Sequence, residues 1–116
     1  MKTKKTVYIA HPLSGNLEGN AAEVRKICRE VHTETTIPVA TYLVTLQYLD
    51  DTKEEERNLG IDADLETFRR RYIDELWLYG NHISTGMKQE VKLALSLGIP
   101  VIPKTEGTRK EFEEIK

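Results

Sequence analysis

Four short apolar runs, separated by stretches with helical periodicity, limit most strongly what this chain can fold into. The runs predict strands over residues 5–11, 36–41, 74–79 and 99–103. The first is β-branched and aromatic, which is typical of a strand buried on both faces. In the second run Pro38 lacks a backbone donor, so this strand is expected at a sheet edge, or to start there.

Amphipathic or charged segments lie between the runs. Residues 17–31 predict a helix, because five apolar side chains fall on one stripe: Leu17, Ala21, Val24, Cys28 and Val31. Residues 42–49 predict a short helix, and 50–57 predict a solvated helix or loop that Gly60 stops. Further helices are predicted over residues 62–72, 86–97 and 106–116, with Asp62 near the N-cap of the first and Gly98 just after the second.

The alternation of strands and helices predicts the α/β class. We expect one domain over residues 1–116, with a small doubly wound parallel sheet of about four strands, Rossmann- or flavodoxin-like, and helices on both faces. In such sheets ligands bind beyond the carboxyl ends of the strands. The loops at residues 11–16 and 80–86 are therefore expected to form one crevice, with Tyr8 beneath the first of them.

Composition excludes several classes of protein. The net charge of −2 provides no broad basic field, so neither nucleic acid nor an anionic membrane is expected as a partner. No run of about 18 apolar residues predicts a membrane-spanning helix, and no signal-peptide core is present. The single cysteine, Cys28, excludes an internal disulfide and favours a cytoplasmic location. No Cys/His cluster has metal-ligand spacing, so no metal or cofactor is expected.

Glu90 is out of place in the predicted helix 86–97. On a helical wheel it falls inside a broad apolar arc formed by Met87, Val91, Leu93, Ala94, Leu95 and Leu97. A buried carboxylate is costly unless it has a partner or a chemical role. The alternative is that Glu90 lies at the edge of the arc and reaches water. The N-terminus of this helix, with Ser84, Thr85 and Gly86, is a candidate anion or phosphate site.

Arg69, Arg70 and Arg71 end the predicted helix 62–72. Their charge suits the C-terminal end of a helix dipole, where it is solvated. Binding of a phosphate is the alternative.

Three pieces of the chain together resemble the nucleoside 2-deoxyribosyltransferase superfamily, which includes nucleoside 5′-monophosphate N-glycosidases and small phage and bacterial proteins of unassigned function. The resemblance covers most of the chain. The pieces are Val7-Tyr8-Ile9-Ala10 with its following loop, Asp74-Glu75-Leu76-Trp77, and Ser84-x-Gly86-x-x-x-Glu90-x-x-x-Ala94-x-x-x-Gly98-Ile99-Pro100-Val101. The third piece is the most specific.

The resemblance implies roles for individual residues. Glu90 matches the family's nucleophile, or the carboxylate that stabilises charge at the sugar C1′, and Tyr8 matches the tyrosine that orients it. An upstream acid that binds the base or shuttles a proton falls at Glu66, with Asp64 nearby. Ser84 matches a serine that contacts a 5′-phosphate in the nucleotide hydrolases, which favours a nucleotide over a free nucleoside.

The loop after the first strand departs from the family. The nucleotide hydrolases carry an arginine there, whereas this chain has His11-Pro12-Leu13-Ser14. Ser14 or the backbone at Gly15 is the candidate replacement. His11 is either a proton donor to a leaving base or a hydrogen-bonded structural histidine.

The resemblance implies a nucleotide-directed N-glycosidase or a 2-deoxyribosyltransferase-like enzyme in which Glu90 acts at C1′. The expected partners are a small nucleoside or nucleotide and further copies of the chain, in a homodimer or larger homo-oligomer. The alternative is a non-catalytic protein that binds a nucleotide in the same crevice, as a sensor or to sequester it. A third reading is that the crevice is vestigial.

Overall fold

The computed structural model describes residues 3–116, so Met1 and Lys2 of the expected domain lie outside the described residues. Four strands form in this part of the chain: β1 (Lys5–Ala10), β2 (Thr36–Val39), β3 (Glu75–Leu78) and β4 (Val101–Pro103). Five helices accompany them: α1 (Leu17–Val31), α2 (Tyr42–Thr45), α3 (Glu54–Arg69), α4 (Thr85–Ser96) and α5 (Glu106–Ile115).

The strands form one parallel sheet in the order β2-β1-β3-β4. This is the predicted α/β class with a small doubly wound sheet. Strand β1 is central, and its residues Val7 to Ala10 are at most 1% exposed, which confirms the strand buried on both faces. Pro38 lies on the edge strand β2, as its missing donor predicts.

Helix α3 differs most from the sequence prediction. It runs unbroken from Glu54 to Arg69, so the predicted stop at Gly60 and the separate helix 62–72 are wrong. A glycine costs a helix only about 1 kcal/mol, and Gly60 lies close to Thr45 and Leu49, where α2 and the segment after it pack on α3. The helix ends instead before Arg71, whose φ of 59° is left-handed.

Two loops meet at the carboxyl ends of β1 and β3. Gly80 has a φ of 90°, and a Cβ atom there would lie 2.5 Å from Cδ of Pro12. Glycine at this position therefore lets the loop after β3 close onto the loop after β1. None of the helices that the structure describes is long and apolar enough to span a bilayer.

Because of the close approach at Gly80, an alanine there should destabilise the protein more than an alanine at Gly98. Gly98 also has positive φ, 72°, but a Cβ atom there would meet nothing within 4 Å. Gly98→Ala should therefore lower the free energy of unfolding by about 1 kcal/mol through backbone strain alone. Gly80→Ala should cost about 2 kcal/mol or more, because the overlap with Pro12 adds to the strain. Urea denaturation of both variants checks this, and equal losses would contradict the described contact.

Candidate active site

A cavity of about 740 Å³ lies beyond the carboxyl ends of the strands. The loop after β1 contributes His11, Leu13 and Ser14, and the first turns of α4 form the opposite wall from Ser84 to Glu90. The segment 51–64, which includes most of α3, closes a further side. The crevice is where a parallel sheet of this order predicts it.

Three ionisable groups from three different elements form the buried end of the site. Glu90 of α4 and Asp64 of α3 each line the cavity but are only 8% exposed, and Tyr8 of β1 is fully buried. The sequence prediction that Glu90 faces inward is thus confirmed, and the alternative of a solvated edge position is excluded. We name Glu90, Asp64 and Tyr8 the carboxyl cluster.

Aromatic packing holds Tyr8 in place within the carboxyl cluster. The ring of Phe68 lies 4.9 Å from the Tyr8 ring and that of Tyr42 lies 6.1 Å away, centroid to centroid. The Tyr42 hydroxyl donates a hydrogen bond of 2.5 Å to the carbonyl oxygen of Ile9, which fixes Tyr42 in turn. Tyr8 therefore has little rotational freedom, and its hydroxyl is held where it is near enough to affect the pKa of both carboxyls.

Burial changes the acidity of both carboxyls. Desolvation, with the charge of Asp64 as a smaller cause, raises the pKa of Glu90 to about 8. Desolvation raises the pKa of Asp64 to about 7. The nearby Tyr8 hydroxyl opposes both shifts, although neither it nor Oδ1 of Asp64 makes a hydrogen bond of standard geometry with a described residue.

Two carboxyls in one dry site do not both ionise readily, because each charge disfavours the other. Near neutral pH the pair therefore holds about one proton. One member is then a carboxylate, able to stabilise positive charge, and the other is a carboxylic acid, able to donate a proton. Such a pair can serve two chemical roles at once.

Tyr8→Phe tests the part that the hydroxyl plays. Since the hydroxyl has no hydrogen bond of standard geometry, its loss should change the free energy of unfolding by no more than about 1 kcal/mol. The pKa of Glu90 should rise further, because the hydroxyl favours the ionised form. Carbon-13 NMR titration of the carboxyl groups measures this shift; an unchanged or lowered pKa of Glu90 would show that the hydroxyl does not act on it.

The structure places the predicted phosphate residues at the cavity wall. Ser84 is the N-cap of α4, and its Oγ accepts a hydrogen bond from the Met87 N–H at 3.3 Å. Thr85 and Gly86 follow in the first turn and also line the cavity. The free amides of this turn form a favourable environment for an anion.

The loop after β1 is only partly in the cavity. Ser14 lines it, whereas Gly15 is an exposed turn residue with a φ of 92° outside the lining. His11 also lines the cavity, and its Nδ1 lies 2.7 Å from the carbonyl oxygen of Pro12. Because a carbonyl only accepts, Nδ1 carries the proton, so in neutral His11 the other nitrogen is an acceptor. His11 thus has the hydrogen bond of a structural histidine and can donate to a ligand only in its charged form.

Glu66 does not line the cavity, whereas the neighbouring Asp64 does. The Glu66 side chain is 43% exposed and accepts hydrogen bonds of 3.0 Å from Arg69 and from Arg70. Because α3 is continuous, Asp64 lies one turn before the buried Phe68 and shares its inward face. The structure thus contradicts a position at the cavity for Glu66, and Asp64 is the acid of this pair that lines it.

The arginines at the end of α3 have structural partners. Arg69 pairs with Asp62 and Glu66, and Arg70 pairs with Glu66. Arg71 donates to the carbonyl oxygen of Leu97 at 2.7 Å. None of the three lines the cavity, so the structure does not support the phosphate-binding alternative for them.

Residues 50–57 are largely exposed, as predicted for a solvated segment, but the sequence did not indicate that this segment forms a wall of the cavity. Two cationic side chains line the cavity, Arg57 from this wall and Lys88 from α4, and neither has an ion-pair partner among the described residues. Unpaired cations at the rim suit an anionic ligand. Within residues 3–116, no group of three or more His, Cys, Asp or Glu side chains is placed to hold a metal ion.

Fold and site together define a small parallel α/β protein with a buried carboxyl pair at the carboxyl edge of its sheet. Residues 5–104 match the family described as Domain of unknown function (DUF7768), and the chain belongs to that family. No curated protein matches it.

One solved structure similar to the chain is a conserved protein from Enterococcus faecalis V583. The two sequences are 21% identical, the similarity covers 97% of this chain and 75% of that chain, and the TM-score is 0.56. At this level of identity the similarity supports the fold.

Proposed function

We propose that the protein is a nucleotide-directed N-glycosidase or a 2-deoxyribosyltransferase-like enzyme in which Glu90 acts at the sugar C1′. The observation that carries the proposal is the buried Glu90–Asp64 pair facing a cavity of about 740 Å³. A cavity of this size is in the range of small-molecule sites. The resemblance of the Ser84–Val101 segment to the deoxyribosyltransferase superfamily supplies the reaction class.

Cleavage of an N-glycosidic bond builds positive charge on C1′ and negative charge on the departing base. In the proposed mechanism the carboxylate of Glu90 stabilises C1′ or bonds to it, as the base leaves with the electrons of the C–N bond. The higher pKa of Glu90 places the pair's single proton more often on Glu90, and the reactive form is the one in which Asp64 holds it. From that form the carboxylic acid of Asp64 donates its proton to the base. Water then attacks C1′ in hydrolysis, or a second base does so in transfer, and the proton it releases returns to the carboxyl pair.

The phosphate of a nucleotide fits the opposite end of the site in this proposal. Ser84, Thr85 and Gly86 begin α4, where free amides favour an anion, and Lys88 adds a positive charge one turn further along. This end lies one to two turns before Glu90 on the same helix. A ligand that spans both therefore places its sugar between phosphate and base, as in a nucleoside 5′-monophosphate.

The proposal is tested by incubating the protein with a panel of ribo- and deoxyribonucleoside 5′-monophosphates and the matching nucleosides. Release of free base is followed by chromatography, with and without an acceptor base, and Glu90→Ala is the control. We expect base release from at least one nucleotide and less from its nucleoside. No release above the Glu90→Ala control with any substrate would reject the enzyme.

A non-catalytic nucleotide-binding protein is the second candidate. The observation that favours it is the hydrogen bond from His11 to the Pro12 carbonyl, because it is the bond of a structural histidine and leaves neutral His11 only an acceptor to offer a ligand. In that case a nucleotide should raise the melting temperature without release of base, and Glu90→Gln should keep the binding. By the same resemblance, the expected homo-oligomer remains a proposal.

A further inference from the structure

Helix α5 holds the loop between β3 and α4 at several points. The Thr105 hydroxyl, at the N-cap of α5, donates to the carbonyl oxygen of Gly80 at 2.6 Å. The hydroxyl of the fully buried Thr108 donates to the carbonyl oxygen of Leu78 at 3.3 Å. Gly107 packs so closely on Asn81 that a Cβ atom would overlap the Asn81 carbonyl group.

One further contact of α5 lies directly before the candidate phosphate end. The Glu111 carboxylate accepts a hydrogen bond of 2.8 Å from the N–H of Ile83, 28 residues away in sequence. Ile83 is only 3% exposed and precedes Ser84, the N-cap of α4. Bonds to a charged acceptor are among the stronger ones in proteins, and a buried N–H left without a partner is costly.

Helix α5 does not itself touch the site. None of residues 105–116 lines the cavity, and the match to the DUF7768 family ends at residue 104. An effect of α5 on a ligand is therefore indirect, and the loop that it holds is the part of the chain that connects it most directly to the site. That loop sets the position of Ser84 and the first amides of α4.

We propose that α5 is a positioning element of the site, and that Glu111 is the positioning residue that holds Ile83, and so Ser84, at the phosphate end. This inference rests on the proposed function. It assigns Glu111 to the binding of the phosphate, and not to the chemistry at C1′, because Glu90 lies one to two turns along α4 and is held separately by the core. The hydrogen bond is the essential feature, so a neutral acceptor of the same length should suffice.

The test compares Glu111→Ala, Glu111→Gln and the control Glu113→Ala in steady-state kinetics with the nucleotide that the wild type cleaves best. Glu113 is on the same helix, and its carboxylate pairs only with Lys116 among the described residues. Glu111→Ala should raise KM about tenfold, equivalent to about 1.4 kcal/mol, with kcat changed less than about threefold. Glu111→Gln and Glu113→Ala should both stay near wild type.

Several outcomes separate this inference from the proposed function. If the wild type is active and the KM of Glu111→Ala is unchanged, this inference is overturned while the proposed function stands. An equal rise in KM in Glu113→Ala would have the same consequence. A loss of kcat with KM unchanged would also overturn it. If Glu111→Ala does not fold, Glu111→Asp, whose carboxylate is one methylene shorter, should show the same rise in KM. A wild type that neither cleaves nor binds any nucleotide rejects the proposed function, and the inference with it.

Discussion

Glu90→Gln is expected to lower the rate of N-glycosidic cleavage by at least about 10³-fold while the protein remains folded. Glutamine has nearly the same shape as glutamate, but it cannot become a carboxylate that stabilises or bonds to C1′. Desolvation raises the pKa of the buried Glu90 carboxyl to about 8. The neutral amide of glutamine avoids the cost of burying an ionisable group, so the variant should remain folded. The loss should therefore appear in kcat, and binding of the nucleotide should persist.

A matched variant on the neighbouring helix sharpens this test. Glu66→Gln removes a carboxylate of the same length from α3, but the Glu66 side chain is 43% exposed and lies outside the cavity. Its kcat should stay within about twofold of wild type. Base release is measured at substrate saturation for both variants, with folding checked by circular dichroism. A Glu90→Gln enzyme with more than about a tenth of the wild-type rate would remove Glu90 from the reaction.

Much of the fold is predictable from local pattern. The bounds of α1 agree with the predicted helix 17–31, because a clear apolar stripe marks its inner face. The edge position of β2 follows from the missing donor of Pro38. The bounds of α3 were predicted incorrectly because the low helix propensity of a single glycine is a weak guide to where a helix ends. The cost of Gly60 in a helix is small beside the packing of α3 against α2 and α4.

The same error accounts for what was missed in the candidate site. Glu90 is recognisable on a helical wheel, since α4 is regular and its apolar arc is wide. Asp64 can be recognised as a site residue only when α3 is known to be one continuous helix. Asp64 then lies four residues before the buried Phe68, and this spacing places it on the same inward face. Residues from the start of α3, such as Arg57, reach the cavity through tertiary packing. The pattern of charged residues at the start of α3 does not indicate that this segment lies beside the cavity.

The carboxyl cluster should also make the stability of the free protein depend on pH in an unusual direction. Most buried carboxyls with favourable partners have lowered pKa values, and they stabilise the folded state as the pH rises. Here burial raises the pKa of Glu90 from 4.5 to about 8 and that of Asp64 from 3.8 to about 7. The folded state therefore binds more protons than the unfolded state between these values.

Stability is consequently expected to fall as the pH rises from 5 to 8. Between its unfolded and folded pKa values, Glu90 alone would reduce the free energy of unfolding by about 1.4 kcal/mol for each pH unit. The contribution of Asp64 overlaps with this one, because the charge of either carboxylate disfavours the other. The stabilisation is complete below the unfolded pKa of each carboxyl, and it is lost as the pH passes the folded value.

Urea unfolding of the wild type, Glu90→Gln and Glu66→Gln, at pH 5, 6, 7 and 8 and constant ionic strength, measures this dependence. His11 and His82 also line the cavity, but they are present in all three proteins, so the difference between variants isolates Glu90. Glu90→Gln should show a flatter profile and gain stability relative to wild type as the pH rises, by about 2 kcal/mol or more at pH 8. Glu66→Gln should run parallel to wild type. Parallel profiles for all three proteins would mean that the Glu90 carboxyl ionises as freely in the folded state as in the unfolded chain, which is incompatible with a desolvated carboxyl pair.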